Sequence, residues 1–149
     1  MTGYYVLRLF HLMFAMLWFG VGLTLPGDVR RTLSRGRPQV DTLPERAQRA
    51  SIIALGSGVL ALATGVGLII NKGGFKMVSV RVHAGLGLAL LLLAVTALGL
   101  ITHRKIAGII RGGGDLEPAR ALAKRVSMLS GIEQLVWLII LTLMVVPLF

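Results

Sequence analysis

The chain has 149 residues, of which 55% are hydrophobic, with a mean hydropathy of +0.81 and a formal net charge of +10. This composition excludes an ordinary soluble domain, and basic loops beside apolar stretches favour a membrane topology over nucleic-acid binding. The chain contains no cysteine, which excludes disulfides, thiolate metal sites, iron–sulfur clusters and covalently attached haem.

Four apolar stretches of about 20 residues or more are long enough to cross a hydrocarbon core as helices. We predict transmembrane helices over approximately residues 4–25, 44–70, 78–102 and 116–148, in a single domain over 1–149. The expected fold is all-α, an integral membrane four-helix bundle. Basic residues crowd the loops after the first and third helices. The positive-inside rule therefore predicts a multi-pass protein of a bacterial cytoplasmic (inner) membrane, with those loops cytoplasmic and both termini outside.

The first predicted helix contains the sequence LRLFHLMFAMLWFGVG, in which His11 lies about 10 Å from the outer end at helical rise. An ionisable side chain inside a membrane helix is costly, so it is treated as functional by default. Met13 and Met16 follow His11, and Met77 precedes the third helix. Imidazole with thioether suits monovalent copper, and only Met16 is roughly adjacent to His11 on the helix.

The second and fourth predicted helices have recognisable starts. In TLPE, Thr42 and Glu45 match a capping box, and Pro44 fits the first turn. Asp115 precedes the fourth helix in a similar way. Each half of the chain then has a histidine near its outer end, a basic loop and a capped helix start. This pattern suggests two repeated helical hairpins.

The third predicted helix places His83 about 6–8 Å from the same outer boundary. Two imidazoles in one leaflet, on different helices, suit axial ligation of a haem iron by His11 and His83. Haem propionates would lie near the basic residues at that end, which include Lys72 and Lys76. The residues predicted to hold the cofactor are His11, His83, Arg8, Arg81, Phe14, Ala15, Trp18 and Gly87. Structural histidines, bonded to each other or to a serine, remain an alternative.

The fourth helix carries Glu133 near its basic-loop end. Its carboxylate is expected to form an interfacial ion pair with Arg104, Lys105 or Arg125, or to relay protons toward a quinone. Gln134 and Trp137 are candidates to line a quinone pocket, although an interfacial tryptophan often serves only as an anchor. His103, beside two basic residues, is expected to be a solvated interfacial group.

The pattern L-x-x-x-H-x-x-x-x-x-x-W-F-G, from Leu7 to Gly20, resembles the first helix of the copper-resistance D group and of a related family of small integral membrane proteins. It is also similar to the first helix of the membrane protoporphyrinogen oxidase family, whose members are associated with haem b. The third helix of that family carries a lysine and a Tyr-His pair, where this chain reads VRVHAGLGLALLLL. The resemblance therefore implies haem ligation by His11 rather than protoporphyrinogen oxidation.

The sequence thus predicts a low-spin, bis-histidine haem b protein that carries out electron transfer or membrane redox chemistry. No catalytic residue is identified. The expected partners are the lipid bilayer and a quinone or periplasmic redox partner, with no role for nucleic acid; a homodimer is compatible with so small a bundle. Two alternatives stay open, namely a copper transport or handling protein and a cofactor-free membrane assembly partner.

Overall fold

A computed structural model describes residues 2–145, and these residues form helices and short connections without strands. The four long helices are α1 (Thr2–Arg35), α2 (Leu43–Asn71), α3 (Val80–Arg111) and α4 (Glu117–Val145). Short 3₁₀ turns, Gln39–Thr42 and Phe75–Met77, lie in the first two connections. Each long helix is long and apolar enough to cross a membrane. The predicted all-α, four-helix membrane bundle is therefore confirmed.

The helices form an antiparallel ring. A Cβ placed on Gly58 of α2 would lie 2.9 Å from Trp18 Cε2, and one on Gly67 would lie 3.1 Å from Leu7 Cδ2, so α2 runs antiparallel to α1. The indole rings of Trp18 and Trp137 meet edge to face, with centroids 5.1 Å apart, where α4 closes onto α1. Because α3 packs mainly on α2 and α4, α1 and α3 are diagonal.

The best-buried side chains lie beyond the apolar stretches, at the end of the bundle that carries the basic loops. Val40 of the first connection is fully buried, and Leu33 and Leu43 are each 1% exposed. We call this cluster the basic-end core; it comprises Leu25, Val29, Leu33, Val40, Leu43, Ala47, Ile106, Ile110, Ala119 and Ala123. A second cluster, around Trp18, Leu92 and Trp137, fills the middle of the bundle. In contrast, many leucines and isoleucines of the spanning segments are exposed, as expected for surfaces that face lipid.

Two arginines connect the hairpin formed by α1 and α2 to the hairpin formed by α3 and α4. Arg37 Nη2 donates a hydrogen bond to the carbonyl of Ile110, 2.9 Å away, at the end of α3. Arg120 Nε of α4 donates to the carbonyl of Leu33, 3.4 Å away, at the end of α1. Both guanidinium groups thus satisfy carbonyls in a last helical turn, where the helix dipole favours positive charge.

The helices extend further than the hydropathy pattern predicts. The expectation that the first helix ends at residue 25 is wrong, because α1 continues through Pro26 to Arg35. Likewise, α3 continues beyond residue 102 to Arg111. The predicted end of the fourth helix, at residue 148, lies outside the described residues. Both extensions carry basic residues on one side and basic-end core residues on the other, a pattern that a hydropathy average does not detect.

Pro26 is tolerated because its missing hydrogen bond is replaced from another helix. A proline has no N–H to donate to the carbonyl four residues earlier, which here belongs to Gly22. The Ser130 hydroxyl of α4 donates to that carbonyl over 3.2 Å. Where little water is available, such a side-chain donor keeps a backbone acceptor satisfied and lets the helix continue.

One of the two predicted helix caps is present. The Asp115 carboxylate accepts a hydrogen bond from the backbone N–H of Glu117 over 3.1 Å, which confirms its capping role. The capping box expected at Thr42 is wrong, because Thr42 belongs to a 3₁₀ turn and its hydroxyl makes a 3.4 Å contact with the carbonyl of Gln39. Pro44 does lie in the first turn of α2.

We predict that Ser130→Ala lowers the free energy of unfolding in mixed micelles by about 1–2 kcal/mol, because it leaves the Gly22 carbonyl without a donor. The matched control is Ser127→Ala, one turn earlier, since the Ser127 hydroxyl is buried without a partner among the described residues. Adding Pro26→Ala to Ser130→Ala should recover much of the loss, because the new N–H can bond to Gly22. Equal effects of the two serine variants would contradict this assignment.

We also predict that Gly58→Ala destabilises the bundle by about 1–3 kcal/mol, the usual effect of overpacking. The added methyl group would lie 2.7 Å from Leu93 Cδ1, on α3, and 2.9 Å from the Trp18 ring. Gly56→Ala, two residues earlier in α2, places a Cβ that meets no atom within 4 Å and should be neutral or stabilising. Thermal unfolding followed by circular dichroism measures both variants.

Candidate functional site

His11 is half-buried and faces α2. Its Nδ1 lies 2.9 Å from the carbonyl oxygen of Ala61 and 3.3 Å from the Thr64 hydroxyl. Because a carbonyl oxygen only accepts, Nδ1 must carry the proton in this bond. The ring fits closely against the backbone of α2, since a Cβ on Gly65 would lie 3.1 Å from His11 Cε1. In the neutral ring, Nε2 therefore keeps its lone pair.

His83 is exposed in the first turn of α3. Its Nδ1 lies 3.1 Å from the carbonyl oxygen of Ser79, one turn earlier, so Nδ1 is again the donor. The ring lies beside Phe75 of the second connection, with centroids 6.1 Å apart. Like His11, a neutral His83 has an unprotonated Nε2.

The two histidines lie on diagonal helices near the same end of the bundle. His11 contacts Gly65, six residues or about 9 Å before the end of α2, whereas His83 lies three residues or about 4–5 Å inside α3. Their depths therefore differ by about one helical turn. No hydrogen bond joins the two rings among the described residues.

The other predicted cofactor residues are divided between this end and the interior. Phe14 stacks on Phe10, with centroids 6.0 Å apart, and together with Ala15 packs against the central cluster. Trp18 belongs to that cluster, and its indole N–H donates to the Thr96 hydroxyl over 3.0 Å. Gly87 faces open space, Arg8 is exposed and Arg81 is half-buried. Trp18 thus has a packing role that the sequence did not indicate.

The methionines of α1 lie on a different face from His11. Met13 is 52% exposed and Met16 is 72% exposed, whereas the His11 ring is turned toward α2. Met77, in the second connection, is also 72% exposed. Over residues 2–145, no cluster of three or more histidine, aspartate or glutamate side chains has the arrangement of a metal site. The residues around His11 therefore do not resemble a His–Met copper site.

His103 is placed differently from expectation. It was predicted to be a solvated interfacial group, and this is wrong, because it is buried between helices with 5% of its surface exposed. The Ser51 hydroxyl donates to the carbonyl of Ala47 over 2.8 Å and lies 2.9 Å from His103 Nδ1. When the Ser51 hydroxyl proton is directed to Ala47, Nδ1 of His103 is the donor to Ser51. This leaves Nε2 as an acceptor, buried and without a partner among the described residues.

A cavity of about 80 Å³ adjoins His103 and extends along the bundle to Trp18 and Trp137. Gln134 and Glu133 also line it, and both atoms of the Gln134 amide are buried without a partner in the described part of the chain. Leaving a buried polar atom unpaired costs roughly 1–3 kcal/mol. His103 and Gln134 therefore need hydrogen-bond partners from outside the chain, either water or a ligand. Glu133, half-buried at this cavity, forms no ion pair with Arg104, Lys105 or Arg125 within the described range.

The sequence did contain a signal for this second site. His103 shares a helix face with Leu100, Ile106, Ala107 and Ile110, which are all buried. Those positions are three, four and seven residues apart, the spacing of an inward-facing stripe. A helix predicted to end at residue 102 leaves out His103 and the positions after it, so this spacing is missed.

Comparisons with protein families, with curated proteins and with solved structures found no match to this chain.

We predict that, in nitrogen NMR of the histidine-labelled protein, the neutral form of His11 and of His103 carries its proton on Nδ1. This tautomer follows from the Ala61 carbonyl in one case and from the Ser51 hydroxyl in the other. Single His→Ala variants assign the signals. A ring protonated at Nε2 at either position would contradict the hydrogen bonds described here.

Proposed function

We propose that the protein is a membrane redox protein that binds one haem b through His11 and His83, at the end of the bundle opposite the basic loops. Haem b, when bound, supplies a one-electron couple. Two strong axial ligands would make the iron low-spin and leave no open coordination position, which favours electron transfer over oxygen binding.

The observation that carries this proposal is the hydrogen bonding of the two imidazoles. Each Nδ1 faces a backbone carbonyl, Ala61 for His11 and Ser79 for His83. A metal-binding histidine characteristically donates its other ring N–H to such an acceptor, which fixes the tautomer and makes the free nitrogen a better ligand. In this tautomer both rings keep an unprotonated Nε2, which is the kind of ligand that haem iron takes.

The charge at this end of the bundle also supports the proposal. Arg8 and Arg81 lie near the two histidines in sequence, and Lys72 and Lys76 lie at the α2–α3 connection. Guanidinium and ammonium groups form strong charge-assisted hydrogen bonds with carboxylates such as haem propionates.

Partners and location follow from the same proposal. Positive charge concentrated on the helix ends that flank the α1–α2 and α3–α4 connections supports a cytoplasmic position for this end of the bundle in a bacterial inner membrane. The histidines would then lie near the outer leaflet, where a periplasmic redox protein can exchange electrons with the haem. A membrane quinone is the proposed partner on the lipid side.

An absorption spectrum tests the proposal directly. Protein produced with ample haem supply should be red, with a low-spin Soret band and sharp α and β bands. We predict that His11→Ala and His83→Ala each abolish or convert this spectrum, because either change removes an axial ligand.

The third histidine provides a matched control. His103→Ala removes an imidazole at the basic end of the bundle and should leave the low-spin spectrum intact. Colourless wild-type protein would refute the proposal, and copper that copurifies without haem would point to metal handling instead. An unchanged spectrum in either of the first two variants would assign the ligation to other residues.

A further inference from the structure

We infer that the cavity beside His103 is a binding site for the head group of a lipid-soluble quinol, which enters from the membrane between α3 and α4. A quinol bound there would be a redox partner for the proposed haem protein. This site involves a separate set of residues, and its test does not require haem.

The polar end of the cavity determines which chemical groups can bind. His103 is buried, and we take Ser51 to donate to Ala47, so that the Nδ1–H of His103 bonds to Ser51 and Nε2 of the neutral ring is an acceptor. The ligand must therefore bring an O–H or N–H donor to this position. The buried amide of Gln134 offers both a donor and an acceptor, and thus matches a second hydroxyl or a carbonyl.

The walls of the cavity favour a flat, apolar molecule behind those polar groups. Trp18 and Trp137 lie along the cavity toward the centre of the bundle, and Leu92 lies beside them. Aromatic rings pack well against indoles in offset or edge-to-face arrangements. A pocket that is mostly apolar, with a few polar atoms at one end, is the usual form of a small-molecule site.

Exposed apolar side chains of α3 and α4 line one side of the cavity, which would face lipid in a membrane. Leu98 of α3 and Leu129 of α4 line it and are 59% and 50% exposed, respectively. Gly99 also lines it, and a Cβ there would meet no atom within 4 Å. The absence of a side chain at Gly99 thus widens the gap between the two helices.

The volume defines how the ligand fits. The cavity volume of about 80 Å³ is smaller than that of an apolar cavity of about 150 Å³ that holds benzene. It therefore accommodates the hydroxyl-bearing edge of a ring, while the rest of the ring and its tail lie in the opening between α3 and α4. Haem is far too large for this space, so this cavity and the proposed haem site are two different sites.

The test uses tryptophan fluorescence, since Trp18 and Trp137 are the two tryptophans of the chain and both line the cavity. A short-tailed benzoquinol is titrated, under anaerobic conditions, into the full chain in lipid nanodiscs. We expect saturable quenching. The matching quinone should bind at least about tenfold more weakly, because it brings no donor to His103 Nε2.

Two variants and a matched control locate the site. Gln134→Leu removes the amide at similar size, and Gly99→Leu fills the opening, so each should weaken quinol binding about tenfold or more. Gly108→Leu adds the same side chain to α3 at an exposed position where a Cβ meets nothing within 4 Å, and should leave binding unchanged. Gln134→Leu removes a buried unpaired amide and is therefore expected to fold.

The outcomes are distinguishable from those of the haem test. Quinol binding should persist in the double variant His11→Ala/His83→Ala, whether or not the wild-type protein contains haem. The inference is wrong if quenching does not saturate, if Gly99→Leu and Gly108→Leu behave alike, or if Gln134→Leu has no effect. Equal affinity for quinone and quinol would refute the role of His103 as an acceptor.

Discussion

The bundle depends on the burial of apolar side chains at its basic end, beyond the segments that face lipid. Within a bilayer the hydrophobic effect does not drive helices together, because lipid tails are as apolar as leucine. At the basic end it does operate, and there Val40, Leu33 and Leu43 are almost completely buried. This core holds the ends of α1 and α3 and the beginnings of α2 and α4 in a fixed arrangement, from which the spanning segments continue.

The arrangement set at that end determines which side chains meet inside the membrane. Small residues then allow close approach, as where Gly58 lies under Trp18 and Gly65 lies under His11. The same register brings Ser51 to His103 and Ser130 to the Gly22 carbonyl. Residues that are far apart in the sequence therefore form the polar contacts between helices. Each contact satisfies a hydrogen-bonding group that lipid could not satisfy.

The number of helices and their order were predictable, because each apolar stretch is long enough to cross a bilayer. The helix ends were not, since α1 and α3 continue with mixed composition and Pro26 normally signals a boundary. Of the proposed haem site, sequence spacing identified His11 and His83 and their common end of the bundle. It could not predict that Ala61 and Ser79 fix their tautomers, because those acceptors are backbone carbonyls. The burial of His103 follows the stripe of buried residues on α3, but its hydrogen bond to Ser51, 52 residues away, is encoded by no local pattern.

The arginines that join the two hairpins have a consequence for assembly. Arg37 reaches a carbonyl of α3, and Arg120 reaches a carbonyl of α1, so each bond requires residues from both hairpins. In a nascent chain with only α1 and α2 inserted, Arg37 can pair with Asp41 but not with the carbonyl of Ile110. The donor for the Leu33 carbonyl is added only with α4. The Arg37 bond can therefore form once α3 is present, whereas the Arg120 bond forms only after α4 has been added. Basic residues near helix ends are usually regarded as signals for insertion. Arg37 and Arg120 thus also form hydrogen bonds that exist only when the two hairpins have packed together.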